Sequence, residues 1–203
     1  MDLAEKGHLE KTRSEARRQQ VLGGATDCFC RYGFHSASMA EIAKAAGMSV
    51  GHIYHYFQNK NAIIAAIVEA NQVEVLSTLD MIEQRDGPLL DALVEAVGTG
   101  VDKCLDRRET ALMVEVLAEA ARNPEVAAVL QASDTVLRTR MREILRKAAR
   151  PGGHLSDEEL EGQVEAIFAL FQGVSVRAIR HPDMDRVQLV RTMQATIRWL
   201  LDD

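Results

Sequence analysis

The sequence predicts an all-α protein of about nine helices, and three observations carry that reading. Only four of the 203 residues are proline, Ala, Leu, Glu and Arg are abundant, and apolar and charged residues make up 47% and 27% of the chain. Apolar side chains recur at intervals of three and four rather than two. Helix-start signals punctuate the chain: Ser38-x-x-Glu41, Asp106-x-x-Glu109, Asn123-Pro124 and Ser156-x-x-Glu159.

A leading helix ends at Phe29–Tyr32, before Gly33 and Phe34. Ser38 and Glu41 then form a capping box that opens a second helix, satisfying two backbone donors that would otherwise be orphaned. Gly47 falls where the chain must turn sharply through a left-handed conformation. Ser49 caps a third helix that begins at Val50. Ile42, Ala46, Met48, Ile53 and Tyr56 fall on the faces these two short helices press together, with small Ala43 at their crossing. Residues 38–60 therefore spell a helix-turn-helix, which makes double-stranded DNA the expected partner.

The second helix of such a motif enters the major groove with its N-terminal residues toward the bases. Val50, Gly51, His52, His55 and Tyr56 are expected there, with Ser38 and Ser49 at the helix starts. Gly51 allows close backbone approach, and the N–H groups at this start suit a phosphate. Tyr54 offers its hydroxyl to a phosphate, and Lys60, after the cap Asn59, is expected beside the DNA backbone. The bland alternative leaves His52 and His55 as solvated polar residues. No Cys, Asp or Glu stands beside them at ligand spacing, so neither a metal nor another cofactor is expected.

Residues from about Arg13 to Ala66 resemble the DNA-binding domain of the TetR family of bacterial transcriptional regulators. The matching residues are Phe29, Tyr32, Gly33 and Phe34, the segment S-M-A-E-I-A-K-A-A-G-M-S, and G-x-I-Y-x-Y-F-x-N-K at Gly51–Lys60. Two positions depart from the pattern: Val50 where a basic residue or proline is frequent, and Asn61 where an acidic one is.

Charge divides the chain. Residues 1–60 carry eight Lys and Arg against six Asp and Glu, whereas residues 61–203 carry sixteen against twenty-four. Residues 1–60 are expected to form the DNA-binding domain and 61–203 a second domain that does not touch DNA. Lys6, Lys11, Arg13, Arg17 and Arg18 would form a flexible basic arm, which either lies along DNA or is merely solvated. The three cysteines show no pairing pattern and suggest a reducing compartment. No apolar run is read as a membrane helix and no signal peptide is evident, so a cytoplasmic protein is expected.

The remaining helices follow in order. One spans residues 60 to about 84, with Ile63, Ile64, Ile67, Val68, Val75, Leu76 and Leu79 near one side, and Asp86-Gly87-Pro88 breaks it. Pro88 opens a helix to about Leu105, Asp106 one through Arg122, and Pro124 one to about Arg150. Pro151-Gly152-Gly153 makes a loop, Ser156 starts a helix reaching Arg180, and His181-Pro182-Asp183 precedes the last, ending near Leu201.

The resemblance implies that the last two helices form a four-helix bundle with a second subunit, and a palindromic operator independently calls for a two-fold dimer. Val164, Ile167, Phe171, Ser175, Met193, Ile197 and Leu200 are the expected seam, unless they fill the monomer's own core. The resemblance also implies a small-molecule pocket whose occupancy changes the spacing of the DNA-reading helices. Its candidate lining is Leu93, Val97, Met113, Val116, Leu117, Leu137, Met141, Phe168 and Phe171, suited to a largely apolar effector. Glu115 and Glu119, one turn apart, are expected to face solvent or pair with Arg122, a cationic ligand being the alternative.

The function expected is a ligand-released repressor. The alternative is a DNA-binding protein of this fold that regulates a protein partner, as a nucleoid-occlusion factor does. An enzyme is not expected, because the sequence has no phosphate loop, HExxH or nucleophile elbow.

Overall fold

The computed structural model describes the backbone of residues 3–149 and 156–202, and the side chains of residues 12–149 and 156–201. Among the described residues the chain forms nine helices and no strand. They are α1 (Leu3–Tyr32), α2 (Met39–Ala45), α3 (Val50–Tyr56), α4 (Lys60–Glu83), α5 (Leu89–Leu105), α6 (Arg107–Ala120), α7 (Pro124–Ala148), α8 (Asp157–Arg180) and α9 (Arg186–Asp202). The expected Pro151-Gly152-Gly153 loop and the side chains of Lys6 and Lys11 lie outside the described residues. The backbone of the expected flexible arm is helical, since α1 begins at Leu3.

The capping signals act as the spacing predicts. Ser38 and Ser156 each accept from the backbone N–H three residues on while Glu41 and Glu159 reach back, completing two capping boxes. Asp106 Oδ1 accepts from the N–H groups of Arg108 and Glu109, and Asn123 Oδ1 from that of Glu125. Pro88 stands as the cap residue rather than inside α5, held at φ −65°.

The helices build two compact units, and they do not divide at residue 60. The first contains Met1–Ala70 together with Leu112–Leu130, and the second Asn71–Ala111 together with Gln131–Asp203. The first unit has one core. Val21, Ala25 and Phe29 of α1 meet Ile42, Ala43 and Ala46 of α2, Ile53 of α3 and Ile63 and Ile64 of α4. Val116 of α6 and Val126 of α7 close it. The helix-turn-helix thus has downstream helices in its own core.

The second unit is built from three smaller clusters. Val97, Val101, Val174, Met193 and Ile197 make one, Leu79, Ile82, Ala92 and Ile144 another, and Leu145, Leu160, Val164 and Ile167 the third. The apolar residues expected at the seam lie in or against these clusters. Val164, Ile167, Ser175, Met193 and Ile197 are buried within the single chain, and Phe171 and Leu200 are half-buried against the same clusters. A periodic stripe marks a buried face without saying what buries it, and here the monomer does.

One described helix does reach membrane-spanning length and apolarity. By length and composition Lys60–Glu83 is apolar enough to cross a membrane. Its apolar residues instead enter cores: Ile63, Ile64, Ala66, Ile67 and Val68 in the first unit, Leu79 and Ile82 in the second. Glu74 pairs with Lys103 at 2.8 Å and Asp80 with Arg140 at 2.7 Å, as suits a helix of a water-exposed domain.

Candidate nucleic-acid interface

The turn between α2 and α3 fixes the reading helix. Gly47 adopts φ +63°, and the Met48 N–H donates to Ala43 O at 2.8 Å while the Gly47 N–H donates to Lys44 O at 3.1 Å. Ser49 then caps α3 through the His52 N–H at 3.3 Å. Behind the turn, Gln20 of α1 donates its Nε2 to Ala46 O at 2.7 Å, and Gly24 lies flush on α2. A β-carbon there would sit 2.8 Å from Ala46 N. The sequence reading missed both residues, because contacts 26 and 22 residues away leave no local signal.

Ile53 is fully buried and holds α3 against the core, so the opposite side of α3 faces outward. Val50, Gly51, His52, Tyr54 and His55 are exposed there, with Tyr56 half-buried at the edge. The Tyr56 ring packs against both imidazoles at 5.3 Å, and its hydroxyl lies 3.5 Å from His52 Nε2. Ser38 and Ser49 have their hydroxyls engaged as caps.

A groove of about 380 Å³ runs beside this face, walled on one side by His52, His55 and Tyr56 and on the other by Arg13, Ser14 and Arg17 of α1. Arg17 is aimed by Gln20, whose Oε1 accepts from its Nη1 at 2.9 Å. The basic residues of α1 divide by role. Arg13 and Arg17 line the groove, whereas Arg18 stacks on Phe57 and lies 3.6 Å from Glu69. The groove thus gathers two guanidinium groups, two imidazoles and a phenol, side chains of the kind that can bind phosphate and base edges.

Lys60 is turned the other way. Its ammonium donates to Phe34 O at 2.6 Å and His35 O at 3.2 Å and sits 4.5 Å from the centre of the Phe34 ring. Burial pushes its pKa down, opposed by the charges of Glu119 and then Glu41. The ammonium expected beside the DNA backbone is here engaged with the α1–α2 turn. Glu115 and Glu119 are likewise engaged within the first unit rather than with Arg122. Glu115 accepts from the Phe34 N–H at 3.2 Å, and Glu119 is buried. Asn61 donates to Glu125 at 2.9 Å, which explains its departure from an acidic residue: a carboxylate there would repel Glu125.

The candidate effector residues separate. Leu93, Met141, Phe168 and Phe171 pack against the Leu145, Leu160, Val164 and Ile167 cluster of the second unit, and Val97 lies in the neighbouring cluster that Phe171 also touches. Leu137 is buried in the same unit. Met113, Val116 and Leu117 belong to the first unit, Val116 in its core and Leu117 exposed, which removes those two from any pocket in the second. No group of three or more His, Cys, Asp or Glu among the described residues is arranged to hold a metal.

Comparison with known proteins agrees with this geometry. The profile described as bacterial regulatory proteins, tetR family, matches residues 21–67, and that of the BetI-type transcriptional repressor C-terminal domain matches 89–202. The HTH-type transcriptional regulator UidR of Escherichia coli K12 is 34% identical over 143 residues, 70% of this chain and 71% of that one. The HTH-type transcriptional repressor AcnR of Corynebacterium jeikeium is 26% identical over 78% of this chain and 79% of its own. The structure of Salmonella enterica GusR superimposes with a TM-score of 0.75 at 31% identity, covering 93% of this chain and 96% of that one.

Proposed function

This chain belongs to the TetR family and is a DNA-binding transcriptional repressor, and from that premise we propose that it acts as a homodimer on a palindromic operator and is released by a small apolar effector. The observation that carries the DNA reading is the exposed Val50–His55 face of α3, set on the buried Ile53 beside the Arg13–Arg17 groove. His52 and His55 read base edges, and Arg13, Arg17 and Tyr54 hold the backbone.

The second copy packs on the outward side of α8 and α9. Gly162, Ala169, Gly173 and Val176 recur at helical spacing on exposed α8, as do Gln188, Thr192, Ala195 and Trp199 on α9, where Trp199 is 67% exposed. Small residues admit a partner helix closely, and Trp199 supplies an anchor of the kind interfaces favour. The effector lodges among Leu93, Met141, Phe168 and Phe171, whose flexible side chains can re-pack around an apolar molecule. A coupling of ~1–3 kcal/mol weakens operator binding about 5–150-fold. The protein acts in the cytoplasm, where its DNA is.

Fluorescence anisotropy on duplex from immediately upstream of the gene, beside a scrambled duplex at two salt concentrations, tests this. A preference above ~10³-fold is expected. Equal binding to both duplexes would remove the operator reading. Arg17→Ala should weaken both duplexes alike and reduce the salt slope by about one, whereas His55→Ala should relax discrimination at one position by ~1–3 kcal/mol.

A further inference from the structure

The helix-turn-helix enters and leaves the first unit's core at one polar cluster. The chain enters through the turn at Gly33–Ala37 and leaves at Lys60. The Lys60 ammonium ties these two ends together through the carbonyls of Phe34 and His35. Behind them stands the C-terminal half of α6. Glu115 accepts the Phe34 N–H, and its Oε2 would lie 3.4 Å from a β-carbon on Gly33, which adopts φ +77°. One turn on, Glu119 is 3% exposed. Its Oε1 accepts from Asn123 Nδ2 at 2.9 Å, while Oε2 makes no well-aligned hydrogen bond and lies 3.2 Å from the exposed His35 imidazole.

A buried carboxylate oxygen without an aligned donor costs stability, so packing alone does not account for it. Its surroundings do. Glu119 Oε2 lies 3.2 Å from the His35 imidazole, and the Lys60 ammonium donates to the carbonyl of that same residue, so the two chain ends of the helix-turn-helix meet beside this carboxylate. Its own orientation is fixed by Asn123 at the start of α7. Asn123 also donates to Asn61, the residue after Lys60, at 3.4 Å.

We propose that Glu119 is a positioning residue for operator recognition: from α6 it holds the two ends of the helix-turn-helix in the geometry that sequence-specific DNA contact requires. The proposal rests on the operator reading above and deepens it. Glu119 touches no DNA. It acts through His35 and Lys60, and Glu115 assists by fixing the backbone of the same turn. Loosening the cluster leaves the Arg13–Arg17 groove and α3 intact but lets them drift from the register that reads bases. Non-specific binding, which needs only phosphates, is insensitive to that drift.

Glu119→Gln keeps the volume and the Asn123 contact and removes the charge. Operator affinity should fall on the order of tenfold, while affinity for scrambled duplex stays within about twofold. A folding defect would lower both in proportion. His35→Gln, at an exposed position, should reproduce the loss, and the double variant should add little to either single one. Hydrogen exchange at residues 33–37 should rise in Glu119→Gln and Glu115→Gln but stay unchanged across α8 and α9. An unchanged ratio of operator to scrambled affinity, or additive losses from His35 and Glu119, overturns the proposal. If the wild-type protein shows no operator preference while exchange at the turn still rises, the operator reading has failed and the tie itself stands.

Discussion

Two glycines show how the two units differ. Gly24 in α1 and Gly100 in α5 both lie so close to a neighbour that a β-carbon would collide, but the neighbours differ in kind. Opposite Gly24 is the backbone of Ala45 and Ala46, at 2.8–3.1 Å; opposite Gly100 is the edge of the Phe171 ring, with Cε1 at 2.5 Å. Backbone cannot yield without moving α2, whereas a half-buried ring can rotate. The DNA-reading unit is fixed by main-chain contact around one continuous core. The other is three smaller clusters joined by side chains able to re-pack, with ion pairs such as Arg186–Asp102 and Arg198–Asp91 tying α9 to α5. That difference suits a reading head whose geometry must persist and, under the proposed function, a body whose interior re-packs around an effector.

The largest effect should come from emptying the rigid core. Ile53 is fully buried where α3 meets the rest of the first unit. Ile53→Ala should cost ~2–5 kcal/mol in urea denaturation and abolish operator binding. A loss below ~1 kcal/mol would mean that this core collapses around a cavity, and the contrast with the second unit would go.

Next comes Gly24→Ala. Overpacking costs ~1–3 kcal/mol, partly offset by ~1 kcal/mol of gained helix propensity. Because the obstacle is the end of α2, the displacement should be felt more in operator affinity than in the unfolding midpoint. At Gly100 the same substitution gains the propensity and displaces only a ring, so stability should change by less than about 1 kcal/mol of either sign. Tryptophan and near-ultraviolet spectra, with the unfolding curve, check this. A cost above ~2 kcal/mol at Gly100 would make the two units equally stiff.

The fold was largely legible because its signals are local. Ser38, Glu41, Gly47 and Ser49 set the helix-turn-helix through contacts three to five residues long, and Asp106, Asn123 and Ser156 did the same downstream. What stayed hidden depends on partners distant in sequence. Lys60 carries the charge of a DNA contact, yet carbonyls 25 and 26 residues away hold it. Glu119 sits at a helical interval that fits solvent or core equally, and only the turn packed against α6 decides. The α8–α9 stripe is legible, but periodicity cannot tell a monomer's core from a dimer's, and only the packing shows its buried side against this chain's own clusters. The division at residue 60 followed charge and motif and could not reveal that Leu112–Leu130 joins the first unit.

The smallest expected effect concerns a feature the two units share. Ser38–Glu41 and Ser156–Glu159 are the same capping box. In each, the serine N–H and hydroxyl both donate to the glutamate, at 2.7 and 2.9 Å in the first and 2.8 Å for both in the second. The backbone hydrogen bond, then the hydroxyl, holds each carboxyl below its ordinary range. A folded pKa below the unfolded value of about 4.3 gives stabilisation that is present above it and is lost as pH falls through the folded value. Both side chains are exposed, so each share is small. Unfolding midpoints followed from pH 7 down to about pH 3 should fall less steeply in Glu41→Gln and in Glu159→Gln than in the wild type, and by similar amounts, since local capping does not depend on what the helix packs against. If only Glu41→Gln flattens the profile, capping matters only where the core is rigid, and the contrast between the units reaches down to their helix ends.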